Sequence, residues 1–197
     1  MISPKHVILD QQKRCEIVFV YYLAPVILGG KPASLFAFEE KQVEVFLQYC
    51  NFLDIKTYCL SQQGRKRYYL FYKESGMRGL LQNEGLQEFL EEYGYRCDTR
   101  KRKQDELLLY LDILGRRLSG FHNEKEPFPH EIGVFLGYPL EDVKAYIKEQ
   151  GKNALLSGYW KVYYNLEVAK NQFATYDDAR KTLLDFVTNH SLLSYER

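Results

Sequence analysis

Twenty residues, Phe128 to Ile147 (FPHEIGVFLGYPLEDVKAYI), constrain the fold of this chain more than any other stretch. Two short amphipathic patterns meet at Gly137-Tyr138-Pro139, a sequence that ends one helix and opens the next. Ile132, Leu136 and Val143 fall on the inward side of such a corner, which predicts that it clamps onto a sheet behind it. Glu141 and Asp142 follow Pro139 in the first turn of the second helix, where the helix dipole favours carboxylates.

The remaining periodicities alternate irregularly between helix and strand. Cys15, Phe19, Tyr22 and Val26 recur at helical spacing while the Val and Tyr content favours a strand; of the two, a helix that stops before Pro25 is expected. Gly29-Gly30-Lys31-Pro32 reads as a turn, Ala33 to Phe38 as a strand, and Glu39 to Leu53 as a helix with Val43, Phe46, Leu47 and Cys50 inward. KTYCLS and RYYLFYK flank Gln62-Gln63-Gly64-Arg65 and predict a β-hairpin. Gly76 to Tyr95 reads as two short helices or as one broken near Gly85, and Gln104 to Leu118 as a further helix. A polar loop runs from Ser119 to Phe128. Past the corner come a strand over Tyr159 to Asn165 and a closing helix over Val168 to His190. This order predicts an α+β fold: a small mixed or antiparallel sheet of about four strands, the hairpin included, covered by several helices. No linker or repeat divides residues 1–197, so a single domain is expected.

Charge excludes a global electrostatic partner, because the net value is +1. The balance is uneven along the chain: Ile55 to Lys103 carries 11 basic and 6 acidic residues, and the chain from Gln104 onward 11 and 14. Ile17 to Leu28 is apolar but short for a membrane span, and Asp10 and Glu16 stand where a secretion signal would be basic. Cys15, Cys50, Cys59 and Cys97 show no metal-type spacing, so reduced, buried thiols in the cytoplasm are expected.

Chemistry-bearing residues are few. Arg65 and Arg67 at the hairpin, beside Tyr68 and Tyr72, predict a surface for an anionic ligand or protein partner, and the basic run Arg96, Arg100, Lys101, Arg102, Lys103 would extend it. An alternative is a small enzyme whose pocket lies near the Gly29-Gly30 turn and holds Lys31 and His130. His130-Glu131 is not a zinc-protease motif, since Val134 occupies the second histidine position. Gly29-Gly30-Lys31 is not a phosphate-binding loop, since Pro32 replaces the hydroxyl that would hold magnesium. Residues 129–148 also fit a helix-turn-helix, with Gly133 at the small contact position. Glu141 and Asp142 would then meet phosphates, which counts against DNA. No catalytic spacing, metal site or cofactor is indicated. The expectation is a cytoplasmic binding or regulatory module that recognises an anionic ligand or partner.

FPHEIGVFLGYPLEDV, SGYWKVYYN and the spaced Ala169, Phe173 and Tyr176, with Leu23-Ala24-Pro25 and Lys31 to Phe36 nearer the start, resemble an uncharacterised bacterial family, mainly clostridial and related Firmicutes: domain of unknown function 3793. The blocks span nearly the whole chain. In that family small polar, His or Cys residues tend to precede the Ala-Pro pair. Here Tyr22 and Leu23 do, so no ligand or nucleophile role transfers to that position. The resemblance implies no activity, cofactor or catalytic residue.

Overall fold

In the computed structural model, which describes residues 4–96 and 105–195, the first element is helix α1, Pro4–Ile27. It runs straight through Pro25, past the point where the sequence predicts its end. Proline withdraws the amide that would bond the carbonyl four residues earlier, which is that of Tyr21. The Nε of Arg180 donates to this carbonyl at 2.9 Å, and its guanidinium lies 4.4 Å from the Tyr21 ring centre. A distant side chain thus supplies the hydrogen bond that the helix cannot.

Strand β1 (Ala33–Glu39), helix α2 (Glu40–Phe52), and strands β2 (Lys56–Gln63) and β3 (Lys66–Tyr72) follow. The three strands form an antiparallel sheet in the order β1-β3-β2, with Gln63 opposite Lys66 across the predicted hairpin. Alternation of side chains sends successive β3 residues to opposite faces. Phe71 joins Phe19 and Leu23 of α1, Phe46 of α2, and Leu183 and Val187 of α8 (Leu166–Asn189) in one buried cluster. Leu70 and Tyr72 join the other, made by α3 (Glu74–Leu81), α4 (Glu84–Glu92), α5 (Glu106–His122) and the corner. Helices therefore cover both faces of the sheet, and the fold is α+β.

The corner consists of α6 (Ile132–Phe135) and α7 (Leu140–Lys148). Ile132, Leu136 and Val143 are buried, as expected, in the cluster that also holds Leu70 and Tyr72 of β3. Gly137 makes the turn with φ of 79°, and a Cβ there would lie 2.4 Å from Cδ of Pro32. Only glycine allows both the left-handed backbone and this approach.

The strand expected over Tyr159 to Asn165 shrinks to β5 (Lys161–Val162), paired with β4 (Leu156–Ser157) in a separate two-stranded ribbon. The amides of Tyr163 and Tyr164 donate to Asp142, at 2.9 and 3.0 Å, and are unavailable for a strand ladder. Helix α5 continues to His122, four residues into the expected loop.

At the far end of the chain, α1 and α8 lie together, and Glu16 is buried between them and the segment that follows. It accepts from Lys13 at 3.0 Å, from the Ser191 hydroxyl at 2.9 Å and from the Leu192 amide at 3.1 Å. Among the described residues, no helix is long and apolar enough to cross a membrane.

Candidate aromatic pocket beside the helical corner

Asp142 organises the ground on which the pocket stands. It is buried in the first turn of α7, where it accepts from Nε1 of Trp160 at 2.7 Å as well as from the two amides above. A buried carboxylate needs such partners, and three donors supply them. Asp142 is therefore more than a charge at a helix start: it ties residues 160–164 to the corner. That contact also occupies the amino-terminal turn which a helix-turn-helix would direct into a groove.

Held this way, Trp160 stacks on Tyr138 with ring centres 5.4 Å apart, and the edge of Phe173 meets it at 4.5 Å. On the other side His130 lies 5.1 Å from the ring of Phe128 and 5.2 Å from that of Tyr146. Between these walls is a pocket of about 280 Å³, largely apolar, with Lys161 and Ser157 on its lining. Burial lowers the His130 pKa, partly offset by the charge of Glu131, so this imidazole is neutral near pH 7. Lys161 donates to the Gly151 carbonyl at 2.6 Å, which leaves two of its three N–H groups to turn elsewhere.

Glu131 has a different role from its neighbour. It is fully buried and accepts from the Tyr95 hydroxyl at 3.1 Å and from Nε of Arg117, so it bolts the corner to α5.

The single cavity expected near the Gly29-Gly30 turn and His130 resolves into two. A second pocket of about 480 Å³ lies on the other side of the corner, between Gly30, Pro32, Gly137, Pro139 and Tyr176. Trp160 and Asp142 border both, and His130 belongs to the first alone. Lys31 lines neither. It is 9% exposed, donates to the Ser34 hydroxyl at 3.3 Å and lies 5.9 Å from the Tyr138 ring centre. Burial, reinforced by the charge of Arg180, lowers its pKa to about 8.

The hairpin residues do not form one surface. Arg65 is exposed at the turn, and Arg67 points to the opposite face from Tyr68. Tyr68 covers His122 with ring centres 4.3 Å apart. Tyr72 is buried because α3 and α5 roof that end of the sheet. Arg96 is exposed, and the remainder of the basic run, with Cys97, lies outside the described residues. Of the other cysteines, all free, Cys50 is buried with its pKa pushed up to about 12 by burial, Cys15 is partly covered, and Cys59 is exposed, against expectation. Its exposure follows from its place on β2, an edge strand of the sheet. Among the described residues no three His, Cys, Asp or Glu side chains gather as metal donors.

Sequence reasoning found His130 but missed Trp160 and Lys161. The available signal was the lone tryptophan of the chain, set in the tyrosine-rich SGYWKVYYN.

A family model described as "Protein of unknown function (DUF3793)" matches residues 19–194 of the chain. No curated protein and no solved structure matches it.

Proposed function

We propose that this chain, which belongs to the DUF3793 family of proteins of unknown function, binds a small planar anion in the aromatic pocket beside His130. One observation carries the reading: five rings, those of Phe128, His130, Tyr138, Tyr146 and Trp160, converge on one cavity that Lys161 also lines. Aromatic walls favour a flat ligand through area burial and stacking, and a few placed polar groups give it orientation. The free N–H groups of Lys161 suit a carboxylate, sulfonate or phosphate on that ligand. Neutral His130 donates or accepts a hydrogen bond at small cost, since no buried charge has to be created. The free cysteines fit a reducing, cytoplasmic setting for such a binding module.

Trp160 makes the test direct, because it is the only tryptophan. Anilinonaphthalene sulfonate, a planar dye carrying an anionic group, is titrated into the protein while energy transfer from Trp160 is followed. Saturable transfer at one dye per chain is expected. Lys161→Met should weaken it about tenfold by removing a charge-assisted contact. Arg65→Ala should leave it unchanged. Unsaturable transfer, or equal affinity in the Lys161→Met chain, refutes the proposal.

A further inference from the structure

A second chemistry-bearing cluster lies on the other side of α5, away from the aromatic pocket and unrelated to it in residues. Strand β2 carries a bulge between Cys59 and Ser61. The extra residue is Leu60, whose carbonyl would come within 2.7 Å of a Cβ at Gly115 of α5. A bulge resets the alternation of a strand. Tyr58 faces α5, where its hydroxyl meets Asp112, and after the bulge Ser61 faces α5 again instead of turning away.

There the Ser61 hydroxyl lies 2.8 Å from Nδ1 of His122, and the Ser119 hydroxyl donates to it at 3.1 Å. Because Ser61 accepts from Ser119, its own hydrogen points to His122, so Nδ1 accepts and Nε2 carries the ring proton. The groups against the imidazole are Ser61 from β2, Tyr68 from β3 at 4.3 Å between ring centres, and Phe121 beside it at 5.7 Å. Burial lowers the His122 pKa, which keeps it an acceptor at neutral pH. Ser61 itself is 5% exposed and closed to a substrate. Ser119 is not: it lines an open pocket of about 440 Å³ together with Cys59, Asp112, Arg116 and Asn123.

We infer that Ser119 is a nucleophile activated by His122 through Ser61, and that the pocket in front of it takes small carboxylic esters. A nucleophile and a base joined by hydrogen bonds are the parts such a site requires, and here Ser61 is the bridge between them. The Ser119 oxygen attacks the ester carbonyl as its proton passes to Ser61 and the Ser61 proton to Nδ1. Arg116, one helical turn before Ser119, lines the same pocket and supplies the positive charge for the oxygen on which negative charge develops. The tetrahedral adduct collapses, the C–O bond to the alcohol breaks, and the departing alkoxide takes a proton from water in the open pocket, leaving hydroxide there and His122 protonated. Hydroxide then attacks the acyl-Ser119 carbonyl, the bond to the Ser119 oxygen breaks, and that oxygen regains its proton from His122 through Ser61 as the acid leaves.

The test uses the whole chain carrying Cys59→Ala, which removes the competing thiol. It is treated with p-nitrophenyl acetate and, separately, with an alkyl fluorophosphonate that replaces its fluoride with a serine oxygen. Peptide mass spectrometry should place the adduct on Ser119, and Ser119→Ala should abolish it. Ser61→Ala and His122→Asn should each slow the reaction about a hundredfold, the scale of general-base assistance. In the native chain the rate should rise with pH as His122 loses its proton and then level off, a profile that a purely structural Ser61 bridge would not produce. Labelling of the urea-unfolded chain at the native rate, or an undiminished rate in folded Ser61→Ala, overturns the inference. Should Ser61→Ala not fold, the native-to-unfolded ratio and the pH plateau decide.

Discussion

Lys31 offers a stability measurement whose sign is unusual. The folded chain holds its ammonium in a buried site, with pKa about 8 against 10.5 for a free lysine. The unfolded chain therefore binds this proton more tightly, and protonation favours unfolding. The penalty is fully present below pH 8 and fades as pH rises from 8 to 10.5. From the two pKa values, it amounts to about 3 kcal/mol at pH 7 and about 1 kcal/mol at pH 9.5. Lys31→Met keeps the length of the side chain and removes the charge. It also removes the donor to Ser34, about 1 kcal/mol. The variant should then be about 1–2 kcal/mol more stable than the parent at pH 7 and equal to it near pH 9.5. Urea unfolding followed by Trp160 fluorescence at both values measures this, and taking the difference between chains cancels the titration of the tyrosines. A variant that is less stable at pH 7 by an amount that does not change with pH refutes the reasoning. It would mean that the ammonium is stabilised where it sits.

Two substitutions test the corner. Asp142→Asn turns an acceptor of three hydrogen bonds into a group that presents donors to donors, and should cost about 2–4 kcal/mol. It should also shift Trp160 emission to longer wavelength as the indole loosens, whereas an unmoved spectrum would show that Asp142 does not hold it. Gly137→Ala brings a methyl against Pro32 at a left-handed φ and should cost about 1–3 kcal/mol, read as a fall in thermal midpoint. An unchanged midpoint would separate the corner from the Gly29 to Pro32 turn.

The parts of the fold legible in the sequence were those set by local period. The Leu-rich spacing of α5, the hairpin and the corner all depend on neighbours within one or two turns, and the structure has them where they were expected. What was not legible depended on partners far along the chain. Pro25 ends a helix by every local rule, and only Arg180, 159 residues away, changes that outcome. Asp142 suited the positive end of α7 well enough to hide its bonds to Trp160, Tyr163 and Tyr164. For the hairpin, alternation alone separates Arg67 from Tyr68, but the burial of Tyr72 required knowing which helices roof the sheet. The candidate site was half visible: His130 stood out by type, while the walls around it came from three segments that meet only in the folded chain.

The bond from Arg180 to the Tyr21 carbonyl has a consequence for the order of events during synthesis. At roughly 5–20 residues per second, the guanidinium is made about 8–30 seconds after the carbonyl that it serves. Over that interval the nascent first helix has neither its missing hydrogen bond nor the apolar wall of α8. Phe19 can already meet Phe46 and Tyr49 of α2, but the side of α1 that packs on α8 stays uncovered on the ribosome, a surface suited to a holding chaperone. Full cover of α1 then waits on translation of α8, so a segment made well before its partner is among the latest to be secured.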